Sequence, residues 1–287
     1  MAEDRIGVRK TYKLYIGGAF PRSESGRTYE IVGGSGHFLA NAAQASRKDA
    51  RDSVVAARKA FPSWSAATAY NRGQILYRVA ELLEGRRSQF VDEVALAGGL
   101  SPADAQREVA EAIDRWVWYA GWSDKIAAVA GAANPVVGPY FNFSVPEPTG
   151  VVAVIAPQSP SLLGLVSVVA PIILTGNTCV VVASERSPLP AVTLSEVLAT
   201  SDLPGGVVNL LTGFTAELAP GLAAHMDVNA IDLAGVEWSV VAELEHAAAD
   251  NVKRVLLPSE TDWYTDPGTA RLTAFLETKT VWHPVGV

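Results

Sequence analysis

The stretch Pro148–Ser184, PTGVVAVIAPQSPSLLGLVSVVAPIILTGNTCVVVAS, decides the fold because it carries no charged residue. A membrane-spanning helix needs about 20 consecutive apolar residues, but prolines and the pair Gly176-Asn177 interrupt this run. The stretch therefore predicts a strand (Val151–Ala156), a helix (about Ser161–Leu174) and a second strand (Cys179–Ala183). Parallel strands that are covered on both faces are uniformly apolar, so we expect a buried α/β core and no membrane segment.

Strand and helix patterns continue to alternate after this stretch. The predicted strands are Val207–Leu211, Ala230–Leu233 and Arg254–Leu257, and the predicted helices lie near Leu189–Ala199, Glu217–Ala224 and Val236–Ala249. Repeated βα units predict a parallel sheet with helices on both faces.

Helical patterns occupy the N-terminal third. Ser46 and Asp49 form a capping-box pattern at the start of one helix, and Ser101 followed by Pro102 marks the start of another. Four aromatic residues lie near the end of that second helix: Trp116, Trp118, Tyr119 and Trp122. Aromatic residues at helical spacing favour a core or interface role over a ligand cage.

Two further segments predict a small β arm. In Asn134–Gly150, polar residues alternate with Phe141, Phe143 and Val145, and the surrounding prolines are typical of a protruding strand. We expect this segment to pair antiparallel with Leu276–Val287, so that Val281 and Trp282 extend one apolar face.

Composition excludes several functional classes. The 287 residues carry a net charge of −7, which disfavours a nucleic-acid partner. The single cysteine fits a reducing cytoplasm, and the charged start of the chain lacks the apolar core of a signal peptide. The four histidines (37, 225, 246 and 283) show no metal-ligand spacing.

Several segments, in order along the chain, resemble the aldehyde dehydrogenase superfamily: KLYIGGAFPRSESGRTYEIV (13–32), EPTGVVAVIAP (147–157), LPGGVVNLLTG (203–213) and NVKRVLL (251–257). The resemblance implies a Rossmann-like cofactor domain over residues 1–132 and 151–262, and an oligomerisation arm over 133–150 and 272–287. It also implies that the catalytic domain is absent, because NVKRVLLPSETD runs almost directly into a tail similar to the family's C-terminus.

The residues that the family uses for catalysis are changed. The resemblance places the family's nucleophilic cysteine in the missing domain, so Cys179, in an apolar strand, is interpreted as inert core. Gln158 and Ser159 stand where the family has Trp-Asn, the source of an oxyanion donor. Pro258 stands at the position of the general-base glutamate and can accept no proton. Glu260 is the nearest replacement.

Cofactor contacts are only partly retained. Val182 replaces the family's ribose-binding lysine, and Val236 replaces the phosphate-binding serine. Glu185 and Gly235 remain as remnants of the cofactor site. Each lost hydrogen bond to a charged group is worth about 1.5–3 kcal/mol, so we expect no cofactor, or NAD or NADP bound weakly.

Two hypotheses follow. The first is a non-catalytic, oxidoreductase-like pseudoenzyme, not an enzyme by itself. It would be cytoplasmic and associate with a full-length active aldehyde dehydrogenase as a structural or regulatory partner, through the β arm and the 236–249 helix, with a homodimer as the alternative assembly. The second is an NAD(P)-dependent oxidoreductase or nucleotide-binding sensor with an altered site, which Glu185 and Gly235 favour.

Overall fold

The centre of the protein is a parallel sheet. The structure is a computed structural model that describes residues 9–286. Its main sheet contains β6 (Val151–Ile155), β7 (Thr178–Val182), β8 (Val208–Leu211), β9 (Ala230–Asp232) and β10 (Arg254–Leu256). These five strands are arranged in the order β10-β9-β6-β7-β8, and all neighbours are parallel. The uncharged stretch supplies β6 and β7, in which every residue is buried, so its predicted strands are confirmed.

Helices cover both faces of this sheet. They are α6 (Leu163–Leu174), α7 (Leu189–Leu198), α8 (Thr215–Ala224) and α9 (Trp238–Ala249). One apolar core contains residues of α6 and α7 together with Cys179 and Val181 of β7. The other contains residues of α8 and α9 together with Val180 and Val182. The alternation of β7 side chains between two cores confirms the predicted α/β class.

The N-terminal helices complete these layers: α1 (Arg47–Ala66), α2 (Ala69–Gly85), α3 (Arg87–Gly98), α4 (Pro102–Ala120) and α5 (Ile126–Ala130). The capping box of Ser46 and Asp49 is present, and the Ser101 side chain accepts a hydrogen bond from the Asp104 N–H. Trp116 and Tyr119 are fully buried, and Trp118 and Trp122 are half-buried against the same core, as expected for a core role.

A small sheet precedes α1. It consists of β1 (Thr11–Tyr12), β2 (Thr28–Val32) and β3 (Phe38–Ala43), in the order β1-β3-β2. Strands β2 and β3 form an antiparallel pair. Tyr15 exchanges backbone hydrogen bonds with Leu210 (3.0 and 2.7 Å), at the β8 edge of the main sheet. Gly17 and Gly18, both at positive φ, form the turn that follows.

The predicted arm is an antiparallel sheet of three strands: β4 (Ala132–Asn134), β5 (Tyr140–Pro148) and β11 (Leu276–Pro284), in the order β11-β5-β4. Val281 lies opposite Phe143, as expected for one apolar face. Trp282, however, lies opposite Asn142 and contacts the ring of Tyr140. Its assignment to the face of Phe143 was therefore wrong, because neighbouring positions of a strand point to opposite faces.

The arm boundaries differ slightly from the expected 133–150 and 272–287. Ala132 already pairs with β5, whereas Leu272, in α10 (Ala270–Thr273), and Phe275 are buried in the main core. The C-terminal arm segment thus begins at Leu276. Residues 1–8 and 287 lie outside the described residues. The expectation of no signal peptide concerns this first segment and therefore lies outside them too. Within 9–286, no helix is both long and apolar enough to cross a membrane.

Candidate functional site

A cavity of about 420 Å³ lies where the strands of the main sheet end. It is lined by Gln158 after β6, Glu185 after β7 and Gly235 after β9, with Val236 and Val240 at the start of α9. Open α/β sheets bind ligands at the carboxyl ends of their strands. The structure therefore brings the two predicted remnants of a cofactor site, Glu185 and Gly235, to one cavity.

Glu185 has a structural partner inside this cavity. Its carboxylate accepts a hydrogen bond from the backbone N–H of Thr215, the first residue of α8. The helix has no side-chain cap of its own, and a carboxylate at a helix N-terminus is favoured by the helix dipole. The backbone N–H of Glu185 also donates to the Gln158 side-chain oxygen at 3.0 Å. These contacts give Glu185 a role in the fold without any ligand.

Gly235 is required by close packing against β6. Its N–H donates to the Ile155 carbonyl oxygen at 2.8 Å. A Cβ atom at this position would lie 1.9 Å from the Ala156 carbonyl oxygen. Any other residue would therefore collide with the backbone after β6, and the glycine alone does not indicate a phosphate site.

The start of α9 is unfavourable for a pyrophosphate group. Glu237 occupies the N-cap and its side chain makes no capping hydrogen bond. Together with Glu185 and Glu243 it contributes carboxylates to the cavity lining, against the one guanidinium of Arg186. A helix N-terminus attracts anions, but here a carboxylate already lies beside it. Val182 is fully buried and offers no donor. These residues do not match the needs of a dinucleotide.

Comparison with known proteins identifies the family. Residues 21–260 match the aldehyde dehydrogenase family. The chain belongs to the aldehyde dehydrogenase family. Human retinal dehydrogenase 2 is 32% identical over 253 residues, covering 86% of this chain and 48% of the human protein. An aldehyde dehydrogenase of Aspergillus niger is 32% identical over 246 residues, covering 85% of this chain and 49% of the relative.

Solved structures of the family agree with the fold. The NAD⁺ complex of an aldehyde dehydrogenase from Bacillus cereus superposes with a TM-score of 0.81 at 27% identity, covering 86% of this chain and 50% of the other. Betaine aldehyde dehydrogenase from Staphylococcus aureus, in complex with NAD⁺, gives 0.81 at 25% identity, with 85% and 48% coverage. This aldehyde dehydrogenase family member thus spans about half the length of the relatives it matches.

The catalytic positions do not form a site. Cys179 is the second residue of β7, at the end of the strand far from the cavity, and it is fully buried. Burial raises the pKa of its thiol, as expected for a cysteine that belongs to the core. The Gln158 side-chain oxygen accepts from the Ser184 hydroxyl at 3.2 Å. Pro258 is buried and Glu260 is exposed on the loop after β10. No three metal-ligating side chains gather among residues 9–286.

Some residues that line cavities were missed from the sequence. Glu237 and Glu243 resemble ordinary surface positions of an amphipathic helix, and only the fold brings them near Glu185. Arg115 also has no distinctive sequence signal, because a single arginine in a helix usually faces solvent. In this family member it is buried and lines a second cavity.

Proposed function

We propose that this chain is a non-catalytic aldehyde dehydrogenase-like subunit, which associates with a full-length, active aldehyde dehydrogenase as a structural or regulatory partner. The proposed assembly is a cytoplasmic hetero-oligomer. The β arm is the observation that carries this proposal, because it is a regular sheet with aromatic side chains left in solvent.

Both faces of the arm expose aromatic residues. Phe141 is 53% exposed and contacts the ring of Phe143, with 5.4 Å between centroids. Trp282 on the opposite face is 58% exposed and contacts Tyr140. The outer strands β4 and β11 also end the sheet as edges. Exposed apolar patches and open edges are usually covered by a partner.

The resemblance to the family suggests what covers the arm. In the family, the arm of one subunit packs on the catalytic domain of another. Between β10 and β11 of the described chain, α10 is the only regular element, so these residues contain no such domain. A partner that supplies it would give the arm its contact surface. The exposed start of α9, with Trp238 63% exposed, is the second proposed contact surface.

The chemistry also favours a non-catalytic role. The single cysteine is buried at the end of β7 that is far from the cavity. The resemblance to the family places the buried Pro258 at the position of the general base. Without an accessible nucleophile and a base, the oxidation of an aldehyde through a thioester has no residue to begin it. In a non-catalytic subunit, the fold would serve mainly to present a binding surface to a partner.

Co-purification tests the proposal. The tagged chain is recovered from its native cell, and bound proteins are identified by mass spectrometry with light scattering to measure stoichiometry. We expect a full-length aldehyde dehydrogenase at a fixed ratio. The double variant Phe141→Ser/Trp282→Ser should lose it. A matched control, Tyr70→Ser/Tyr77→Ser, removes two exposed aromatic residues of α2 and should retain it.

The outcomes separate the candidates. Recovery of the chain alone, or only as a dimer of itself, contradicts the hetero-oligomer. If the arm variant recovers as much dehydrogenase as the wild type, the contact surface is assigned to α9 and not to the arm. A second candidate function, a nucleotide-binding sensor, is favoured by the position of the 420 Å³ cavity at the strand ends. Saturable low-micromolar binding of NAD in calorimetry would support that candidate instead.

A further inference from the structure

An irregular segment joins β10 to α10 and lies across the helices α4 and α6. This segment, residues 257–269, contains no helix or strand, and loops of this kind usually run over the surface and are mobile. Trp263 at its centre is nevertheless only 9% exposed and belongs to the same apolar core as α4 and α6. We call residues 257–271, which include the start of α10, the strap. Together with α4 and α6, the strap encloses the second cavity, of about 260 Å³.

Arg115 of α4 attaches the strap to the helical layer. Its Nη2 donates to the carbonyl oxygens of Trp263 (2.8 Å) and Thr265 (3.0 Å), and its Nη1 donates to the Ser167 hydroxyl of α6 at 3.3 Å. The residue is 6% exposed, so these oxygens replace the water that a guanidinium would otherwise bind. Opening the strap would take two of these three acceptors away from a buried cation.

Asp232, the last residue of β9, attaches the strap to the main sheet. It is fully buried, and its carboxylate lies 2.5 Å from Nη1 of Arg271 in the strap. The Ala234 N–H also donates to this carboxylate, at 3.0 Å. Removing one partner of a buried ion pair is strongly destabilising, because the other charge stays buried and uncompensated. Detaching Arg271 would therefore leave a buried anion, just as detaching the strap from α4 would leave a buried cation.

The two attachments hold the same short stretch of backbone. The Trp263 carbonyl oxygen accepts a hydrogen bond from Arg115, and the guanidinium of Arg271 lies over the Trp263 ring, 5.1 Å from its centroid. The Asp262 carboxylate accepts a hydrogen bond from the Tyr264 N–H at 3.0 Å, which fixes the turn around the tryptophan. A positive charge on α4 and a negative charge on β9 thus both have partners in the strap.

We propose that the strap is a latch that stays closed in the native chain and seals the α4–α6 side of the strand ends, where the resemblance to the family would place the link to a catalytic domain. The seal consists of residues of this chain alone and does not depend on the proposed partner role. Its consequence for assembly does rest on that role: a full-length dehydrogenase would contact the arm and α9 and leave the strap uncovered.

Limited digestion of the isolated full chain with chymotrypsin tests the latch. Cleavage after Trp263 or Tyr264 requires the strap to open, because proteolysis of a native protein follows the population of its locally opened form. Mass spectrometry locates the first cuts. We expect no cut at these two sites before the chain unfolds as a whole. Cleavage there while the rest of the chain stays intact overturns the proposal.

Matched arginine variants identify the attachments. Arg115→Met and Arg271→Met should each speed cleavage within the strap by about tenfold or more, because each removes charge-assisted hydrogen bonds that are lost on opening. The control is Arg78→Met, which removes an exposed ion pair on α2 and should leave this cleavage unchanged. If Arg271→Met does not fold, Asp232→Asn/Arg271→Met replaces it, since no unpaired charge remains. Folded variants whose strap is cut at the wild-type rate overturn the latch.

Site-specific labelling tests the consequence for assembly. Because Cys179 is buried, Ser259→Cys provides one accessible thiol at an exposed position of the strap. A bulky polyethylene glycol maleimide there should not reduce co-purification of the full-length dehydrogenase, whereas the same label on Thr280→Cys in the arm should prevent it. Loss of the dehydrogenase from the chain labelled at position 259 overturns this consequence. If the unlabelled chain recovers no dehydrogenase, the proposed function fails, and the digestion still decides the latch.

Discussion

The Glu185 carboxylate accepts a hydrogen bond from the backbone N–H of Thr215, so the residue that resembles a ribose ligand also caps α8. Gly235 is likewise held by its contact with the backbone at Ala156. Both residues therefore have a reason to be present that is independent of a cofactor. This relationship explains how a chain can keep parts of a binding motif when other parts, at Val182 and Val236, are replaced.

The first prediction concerns the charge at the start of α9. Glu237→Ser should strengthen the binding of NAD by roughly threefold or more, because a carboxylate beside the helix N-terminus is removed and serine is a preferred N-cap residue. Calorimetric titration of both chains measures the change. Glu243→Gln removes a carboxylate from the same cavity but not from the N-cap, and should have the smaller effect. Low-micromolar binding of NAD by the wild type would contradict the expectation that NAD binds weakly or not at all.

The second prediction concerns catalysis and the buried thiol. The isolated chain should not oxidise aldehydes with NAD or NADP, and Cys179 should react with thiol reagents only after unfolding, since its side chain is fully buried. Cys179→Ser should lower the free energy of unfolding by about 1–3 kcal/mol, because it buries a hydroxyl in an apolar core. Denaturant titration and timed thiol labelling measure these effects. Turnover that disappears in Cys179→Ser would show that the interpretation is wrong.

The third prediction concerns pH. Burial raises the pKa of Glu108, although its carboxylate accepts hydrogen bonds from Leu162 and Leu163 at 2.8 and 3.4 Å. Because the folded pKa is raised, the native state favours the protonated form. The stability that Glu108 contributes is therefore present below the ordinary glutamate pKa and is lost as pH rises through the folded value.

Glu108→Gln provides the test. The amide oxygen can accept the same backbone hydrogen bonds without a charge, so the variant should be more stable than the wild type at neutral pH and equal to it at acid pH. Denaturant midpoints at several pH values measure the difference. Asp114→Asn, an exposed carboxylate of the same helix, should leave the pH dependence unchanged. A wild-type advantage at neutral pH would contradict the prediction.

The sequence predicts the elements well because burial leaves a local pattern. Every residue of β6, β7 and α6 is buried, and such elements can be recognised from uninterrupted apolar runs bounded by proline and glycine. Local pattern also predicts the helix starts at Ser46 and Ser101, because each serine side chain accepts a hydrogen bond from a backbone N–H three residues later.

Contacts between distant residues leave no such pattern. The period of two in β5 predicts a strand but not its register with β11, and therefore does not decide the face on which Trp282 lies. The capping of α8 by Glu185 and the burial of Arg115 depend on segments that are far apart in the chain. A charged residue whose partner is distant has the same local sequence as a solvated one.

The last prediction concerns the arm. Deleting Leu276–Val287 removes β11, which pairs with β5 along its whole length, but leaves Leu272 and Phe275 in the main core. The rest of the chain should therefore keep its helical circular dichroism and cooperative unfolding. The deletion should abolish association with the full-length dehydrogenase, because β5 alone cannot present the paired surface of Phe143 and Val281. Lys279→Gln, which removes only the exposed ion pair with Glu147, is the matched control and should associate normally, since such pairs contribute little. If the deleted chain co-elutes with the partner at an unchanged ratio, the arm is not the contact surface, and the exposed start of α9 becomes the better candidate.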